Sequence, residues 1–485
     1  MIMPMSRFHW PHLIVQFGLA GLFLVLSLDA GLRLALLTPI GQVADEPAHI
    51  ARAGALLHGQ WLGRRVPFKP AGKAATFVPA TRINFGLLNA SIGEMNATCA
   101  APATIARTAR QPWTKAQIID IDFNTTQYFP ALYVPGTLGI ALGRAVGQRP
   151  LAALFSGRIG MLIAYVLIGT LAIAIARFGR AVLFATLSLP EALSLGASFN
   201  QDGMLIALSA LAGALLTLDP VLHRRWRWWF MPVMTLILVS KPPYGLLLFC
   251  VLTPLALPRP WRRAALVSLW AIPPLIWVAI MTRVSLMPYL LGPYHPGPLW
   301  PGPASRVFTT TDPIAGLRVF VADPVRLINL PVDFLVSNFE FLVKSGIGML
   351  GWLTLDLSPA VYLGWEIAIV VAALGVLAAP PAVGLRWSAW DAALIMVLVV
   401  LSVFAIEIAV YLSWDKVGSA VIYGPQGRYY LLFLPFLMLV IPRLGGPVAR
   451  IGNRLTLWCA LPAVAMAAID VWYVPGLLAR RFCLG

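Results

Sequence analysis

Apolar runs long enough to cross a bilayer recur from one end of this chain to the other, and they constrain its fold more than any single motif. The first covers residues 13–37 and follows a basic start containing Arg7. It is too long for the core of a secretory signal peptide and has no small-residue cleavage site near its end. Ten more follow, at about 152–176, 180–198, 203–218, 228–240, 243–257, 264–281, 359–379, 389–413, 429–442 and 455–474. About 20 apolar residues in a helix cross the hydrocarbon core, where only helices and closed barrels satisfy their own backbone. The expectation is an all-α integral membrane protein, a bundle of about 11 transmembrane helices forming one polytopic domain over residues 1–485.

Composition and charge agree. The chain is 59% hydrophobic and only 11% charged, against about 25% charged in soluble domains. That excludes a water-soluble enzyme and a disordered chain. A net charge of +17 would suit nucleic acid, but the arginines punctuate apolar runs, so the expected partner is the lipid bilayer and no nucleic acid. Loops assigned to the inside carry 13 arginines against Asp219 and Asp391 alone, which puts the N-terminus inside. Cys99, Cys250, Cys459 and Cys483 fall at wide spacings that form neither a disulfide framework nor a zinc site.

Residues 39–150 then make a large outer loop. Within it, 128–147 is apolar but broken by Pro130, Pro135 and four glycines. Counting it as a span would carry Arg177 and Arg180 outside, so it is read as a juxtamembrane helix at the outer interface. A second outer segment, 282–358, mixes apolar residues with Asp323, Asp333, Glu340 and Lys344, as an interfacial helix does.

The stretch ADEPAHIARAGALLHG, residues 44–59, follows the first helix directly. Pro47 suits the first turn of a helix, with Asp45 or Glu46 as its cap. Helical spacing sets Asp45, His49 and Arg52 on one face. Asp45 is either a cap paired with Arg52 or a reactive carboxylate. Asp45, Glu46 and His49 also form a ligand set for a divalent metal, a question the sequence leaves open; no other cofactor is implied. Arg158, Lys241 and Arg428 all fall near outer ends of apolar runs. A lysine inside an apolar run needs a partner, and Asp202 is either a helix cap or a ligand to substrate. Asp29 and Arg33, four residues apart, are read as a self-neutralising pair.

The D-E-P-A-H sequence, with YFPALYVPGTLG (128–139), SGRIG (156–160), SFNQDG (198–203), SKPPY (240–244), GMLGWLTLDLSP (348–359) and YGPQGRYYLLFLP (423–435), resembles the bacterial multi-pass membrane family called domain of unknown function 2142. That family in turn resembles GT-C glycosyltransferases, which use polyprenyl-phosphate sugars. The resemblance implies a GT-C-like bundle in a bacterial inner membrane with its active site on the periplasmic face. It implies an inverting transferase taking its sugar from a polyprenyl-phosphate donor and passing it to an envelope glycan, glycolipid or protein. By the same resemblance Asp45 is the catalytic base, with Glu46 behind it, and His49, Arg52, Arg158, Asp202, Lys241, Gln426, Arg428 and Tyr429 bind lipid phosphate or sugar. A transporter of lipid-linked glycan and a non-catalytic membrane scaffold are the alternatives.

Overall fold

The structure is a computed structural model describing residues 10–68, 76–95, 107–121, 125–284, 312–377, 387–442 and 447–482. The chain folds into α1 (Trp10–Leu37), α2 (Glu46–Leu56), β1 (Arg64–Phe68), β2 (Thr76–Asn84), α3 (Phe85–Met95), β3 (Gln117–Ile121) and α4 (Val134–Ala145). The bundle continues with α5 (Pro150–Ile175), α6 (Arg180–Ser188), α7 (Pro190–Gly196), α8 (Gln201–Leu216), α9 (Phe230–Ser240) and α10 (Pro260–Val284). It closes with α11 (Pro313–Ala322), α12 (Arg326–Ser337), α13 (Phe339–Gly348), α14 (Pro359–Leu377), α15 (Ala389–Trp414) and α16 (Pro447–Phe482).

Among the described residues, six helices are long and apolar enough to span a membrane alone: α1, α5, α10, α14, α15 and α16. The protein is thus a helical integral membrane protein. Helix α1 packs on α5 and α16, α5 packs on α4 and α8, and α14 packs on α16. Small residues permit the closest of these approaches. A Cβ at Gly139 of α4 would fall 2.8 Å from the backbone of Gly157 on α5. On the first spanning helix, Asp29 and Arg33 pair at 2.9 Å.

The other apolar runs differ from independent spans, and the reason is local. The run at 180–198 divides at Pro190, which begins α7. Helices α7 and α8 form a pair bent by 114° at residues 197–200, a broken span or re-entrant loop. Pro242 and Pro243 end α9, and Pro242–Leu252 continues as a 3₁₀ helix. Residues 427–437 are three short turns of helix. Helices α6, α7 and α8 bury nearly every residue. A helix apolar all round reads the same whether lipid or protein surrounds it, so hydropathy could not separate these from spans.

The stretch after α1 holds structure that periodicity did not reveal, a three-stranded antiparallel sheet in the order β1-β2-β3. Arg64 lies opposite Ala80, which lies opposite Ile121. Ile83 of β2 packs with Ile50 and Leu87 of α2 and α3. Helix α4 buries Gly136, Gly139 and Gly143. Its opposite stripe, Val134, Leu138, Leu142 and Val146, stays exposed, which suits a juxtamembrane helix. In the second outer segment α11 and α12 rest on α15, and α12 buries Leu330 and Phe334 while exposing Ile328, Val332 and Val336. Residues 285–311 of that segment lie outside the described residues.

Two ends of the bundle emerge. The backbone N–H of Arg177 donates to Thr217 Oγ1, and Arg227 donates to the carbonyl of Leu216, so residues 176–180 and 216–227 share one end. Asp45 lies toward the other, past the end of α1 and next to the start of α8, where Asn200 bonds the Ala44 carbonyl. In a cysteine-free background, single cysteines replacing exposed Trp61 and exposed Trp226 are expected to react with an impermeant maleimide from opposite sides of the membrane. Labelling of both from one side would overturn this arrangement.

Candidate functional site

The turn between α1 and α2 is fixed by one buried ion pair. Arg158 Nε and Nη2 donate to Glu46 Oε1 and Oε2 at 2.8 and 2.6 Å, and both side chains are fully buried. The guanidinium also donates to the carbonyls of Ala35, Thr38 and Pro39, satisfying acceptors that the end of α1 leaves open. Glu46 accepts from the backbone N–H groups of Gly41 at 2.8 Å and Phe199 at 3.3 Å. Neither residue reaches the substrate role that sequence reasoning assigned. Glu46 is saturated by donors and cannot back up a base, and Arg158 is a strut rather than a phosphate ligand. Removing one partner of such a pair strands a buried charge. Glu46→Gln is therefore expected to destabilise the protein by about 3 kcal/mol or more, read as a fall in thermal midpoint in detergent; an unchanged midpoint would refute the strut.

Arg52 is also placed differently from its assignment. It is fully buried and donates to the carbonyls of Tyr128 and Trp61 at 2.9 and 2.7 Å, pinning the outer loop to α2. His49 meets the Tyr133 hydroxyl through Nδ1 at 2.7 Å and stacks on Tyr128. Burial pushes its pKa down from 6.5 to about 4, against the opposing pull of Asp45 and Asp202. Between those two values the unfolded chain binds a proton here that the folded protein does not. Stability must then fall as pH drops from about 6.5 toward 4. Thermal midpoints measured across that window are expected to fall less steeply in His49→Phe; an unchanged slope would remove His49 as the cause.

The remaining predicted residues converge. Asp45 sits at the N-cap position of α2 with φ of 62° and makes no side-chain cap. Asparagine and aspartate tolerate that left-handed backbone best among non-glycine residues. Freed from capping, its carboxylate meets Arg428 Nη2 at 2.5 Å. Arg428 Nε lies 3.3 Å from Asp202 Oδ2, and Lys241 Nζ lies 2.6 Å from Asp202 Oδ1. The Tyr429 ring lies 4.1 Å from the Lys241 ammonium. Side-chain exposure falls from 35% at Asp45 to 15% at Lys241, 5% at Asp202 and 2% at Arg428. Asp45 is therefore the open end of the cluster.

Helix ends position these charges. Asn200 caps α8, accepting from the Asp202 N–H at 2.9 Å, and its amide donates to the carbonyl of Ala44 at 3.0 Å. The tip of the α7–α8 bend is thereby tied to the turn carrying Asp45. Asp202 lies in the first turn of α8 and Lys241 just past the end of α9, each where the helix dipole favours its charge. Arg428 is seated by Gly427, whose N–H donates to Ser345 Oγ at 2.9 Å. A Cβ at Gly427 would run into the backbone of Leu342 and Gly346, so only glycine fits. The Tyr244 hydroxyl donates to the Tyr429 carbonyl at 2.8 Å. Gln426 is half-buried beside this turn, with Oε1 unbonded.

The donor set does not fit a metal at Asp45, Glu46 and His49, because Glu46 is spent on Arg158 and two backbone donors. Among the described residues no three His, Cys, Asp or Glu side chains cluster at ligand spacing. Sequence reasoning passed over Glu191, in the first turn of α7 and 4% exposed, whose charged neighbours include Arg428 and Asp202. An acidic residue after a proline in an apolar run was its only signal.

A helical bundle with a neutral two-cation, two-carboxylate cluster at one end defines a polytopic membrane protein with a polar site at its membrane edge. The chain belongs to the family described as predicted membrane protein, domain of unknown function 2142, which matches residues 28–440. No curated protein and no solved structure matches it significantly.

Proposed function

We propose that this protein is an inverting glycosyltransferase of a bacterial inner membrane, using a polyprenyl-phosphate sugar and a cell-envelope glycan, glycolipid or protein acceptor. The observation that carries the reading is the half-exposed Asp45 carboxylate held 2.5 Å from buried Arg428, with Lys241 beyond it on Asp202. Transfer from a lipid phosphate needs a base for the acceptor hydroxyl and cations for the departing phosphate. Both are within one cluster. The arginines at 224–227 and 259–263, at the far end of the bundle, support an outward-facing Asp45 by the positive-inside rule.

In this reading Asp45 takes the acceptor proton as the acceptor oxygen attacks C1 of the sugar. The C1–O bond to phosphate breaks, its electron pair stays on the phosphate oxygen, and Arg428 and Lys241 take up that charge. A donor phosphate competing for Arg428 also loosens the pair that holds Asp45 and frees its carboxylate for the acceptor. The bent α7–α8 pair lends some support to a lipid-glycan transporter, since transporters use broken helices. Against that, Asp45 follows the end of α1 rather than lying within a spanning helix.

Release of polyprenyl phosphate by purified protein separates the two. Asp45→Asn keeps the left-handed backbone, and Arg428 keeps Asp202. Transfer is expected to fall by about 10²–10⁴-fold in protein that remains folded, with some loss of thermal midpoint because buried Arg428 loses a charged partner. A folded Asp45→Asn variant with full activity would sink the catalytic assignment.

A further inference from the structure

At the end of the bundle away from Asp45, arginine and tryptophan share an exposed surface built from two stretches of chain. The first, residues 219–229, joins α8 to α9 and exposes Arg224, Arg225, Trp226 and Trp229 together with Val221 and Leu222. The second is the start of α10, where Arg259, Trp261 and Arg262 are exposed. Trp261 keeps 85% of its surface open, too much for a packing residue.

One arginine from each stretch turns inward and fastens the two together. Arg227 is buried and donates to the carbonyls of Leu216, Leu218 and Thr253. Arg263 donates to the carbonyls of Leu252 and Val251 at 2.7 and 3.2 Å. Both guanidinium groups thus grip residues 251–253, and α9 packs beside α10 from there. The arginines left over have nothing to bind. The side chains of Arg224, Arg225, Arg259 and Arg262 make no hydrogen bond or ion pair with any described residue. The neighbouring carboxylates are already engaged. Asp219 accepts from the N–H groups of Val221 and Leu222 at 2.8 Å. Asp391 is fully buried and accepts from the N–H of Leu255 at 2.6 Å and of Ser388 at 2.8 Å. Four guanidinium groups therefore stand on one surface without a counter-charge among the described residues.

Two requirements narrow what covers them. Guanidinium groups match the oxygens of a phosphate. Open tryptophan rings, with Val221 and Leu222, are costly in water, and indole favours the layer between headgroups and hydrocarbon. A dissolved anion meets only the first requirement. An anionic phospholipid meets both, and clusters of four or more basic residues beside spanning helices bind such lipids. We infer that residues 219–229 and the start of α10 form a binding surface for anionic phospholipid headgroups. Arg224, Arg225, Arg259 and Arg262 take the phosphates, and Trp226, Trp229 and Trp261 lie at headgroup level. The surface is separate from the cluster at Asp45 and does not depend on the glycosyltransferase reading.

The test is equilibrium binding of radiolabelled phosphatidylglycerol, and of zwitterionic phosphatidylethanolamine with the same acyl chains, to the full chain in detergent. The wild type is expected to bind phosphatidylglycerol about tenfold more tightly, a gain that shrinks as salt rises. Arg224→Gln with Arg225→Gln, and Arg259→Gln with Arg262→Gln, are each expected to weaken phosphatidylglycerol binding by about tenfold and leave phosphatidylethanolamine unaffected. Thermal midpoints without added lipid should hold, because these side chains are exposed and unpaired. Lysine at the same four positions keeps the charge and should keep most of the gain. Arg107→Gln with Arg110→Gln removes equal charge near Arg149, at the Asp45 end, and should change nothing.

Equal affinity of the wild type for the two lipids overturns the lipid surface and leaves an acidic protein as its occupant. Full retention of the gain in both glutamine pairs also overturns it. So does an equal loss in the Arg107 and Arg110 control, which marks an effect of net charge alone. If a glutamine pair does not fold, the wild type decides, since a gain indifferent to salt is not one of exposed arginine and phosphate.

Discussion

The buried pair between Glu46 and Arg158 is the interaction on which the rest of the site depends. Two fully buried charges are tolerated only when every lone pair and proton is matched. Here the guanidinium closes the carbonyl end of α1, and the carboxylate collects backbone donors from Gly41 and from Phe199 at the α7–α8 bend. Four separate pieces of backbone meet at one point. The turn that results leaves Asp45 in a left-handed conformation with its carboxylate turned away from α2. Its chemistry therefore follows from its neighbour's structural role.

Around that turn the protein assembles an electrically neutral cluster from four distant stretches of sequence. Asp45 follows α1, Asp202 begins α8, Lys241 ends α9, and Arg428 lies in a turn held open by Gly427. In a low-dielectric setting none of these charges could stand alone. Their mutual pairing makes the site stable without a ligand, and the graded exposure from Arg428 to Asp45 leaves one carboxylate able to exchange its partner. An incoming anion can compete for the cations only by displacing a carboxylate, and Asp45 is the least confined.

The bent and short helices explain how such a site can exist at one end of a membrane bundle. Irregular backbone at membrane depth is stable only when buried in protein or lining a cavity. The bend between α7 and α8, the break at Pro242 and the short turns after Gln426 are all enclosed by α1, α5, α15 and their neighbours. Enclosure lets polar tips such as Asn200, Lys241 and Arg428 sit where lipid would otherwise exclude them. On the outside, α4, α11 and α12 keep apolar stripes exposed, as helices lying against lipid do.

The sequence by itself determined the class of this protein and named most of the cluster. Apolar runs of this length and number mark a membrane protein, and a lysine or aspartate inside one, such as Lys241 or Asp202, demands a partner. Family membership, expected from D-E-P-A-H and Q-G-R-Y, agrees with the family match over residues 28–440. Only the tertiary structure decided which charges do which work. Glu46, Arg52 and Arg158 are acids and arginines in the quoted stretches just as Asp45 and Arg428 are, yet they hold backbone. Burial and available partners assign those roles, and neither is encoded in spacing. The same limit applies to helix count, because hydropathy reports an apolar environment without saying whether lipid or protein supplies it. It applies equally to Glu191, whose burial exists only once α7 has packed against its neighbours.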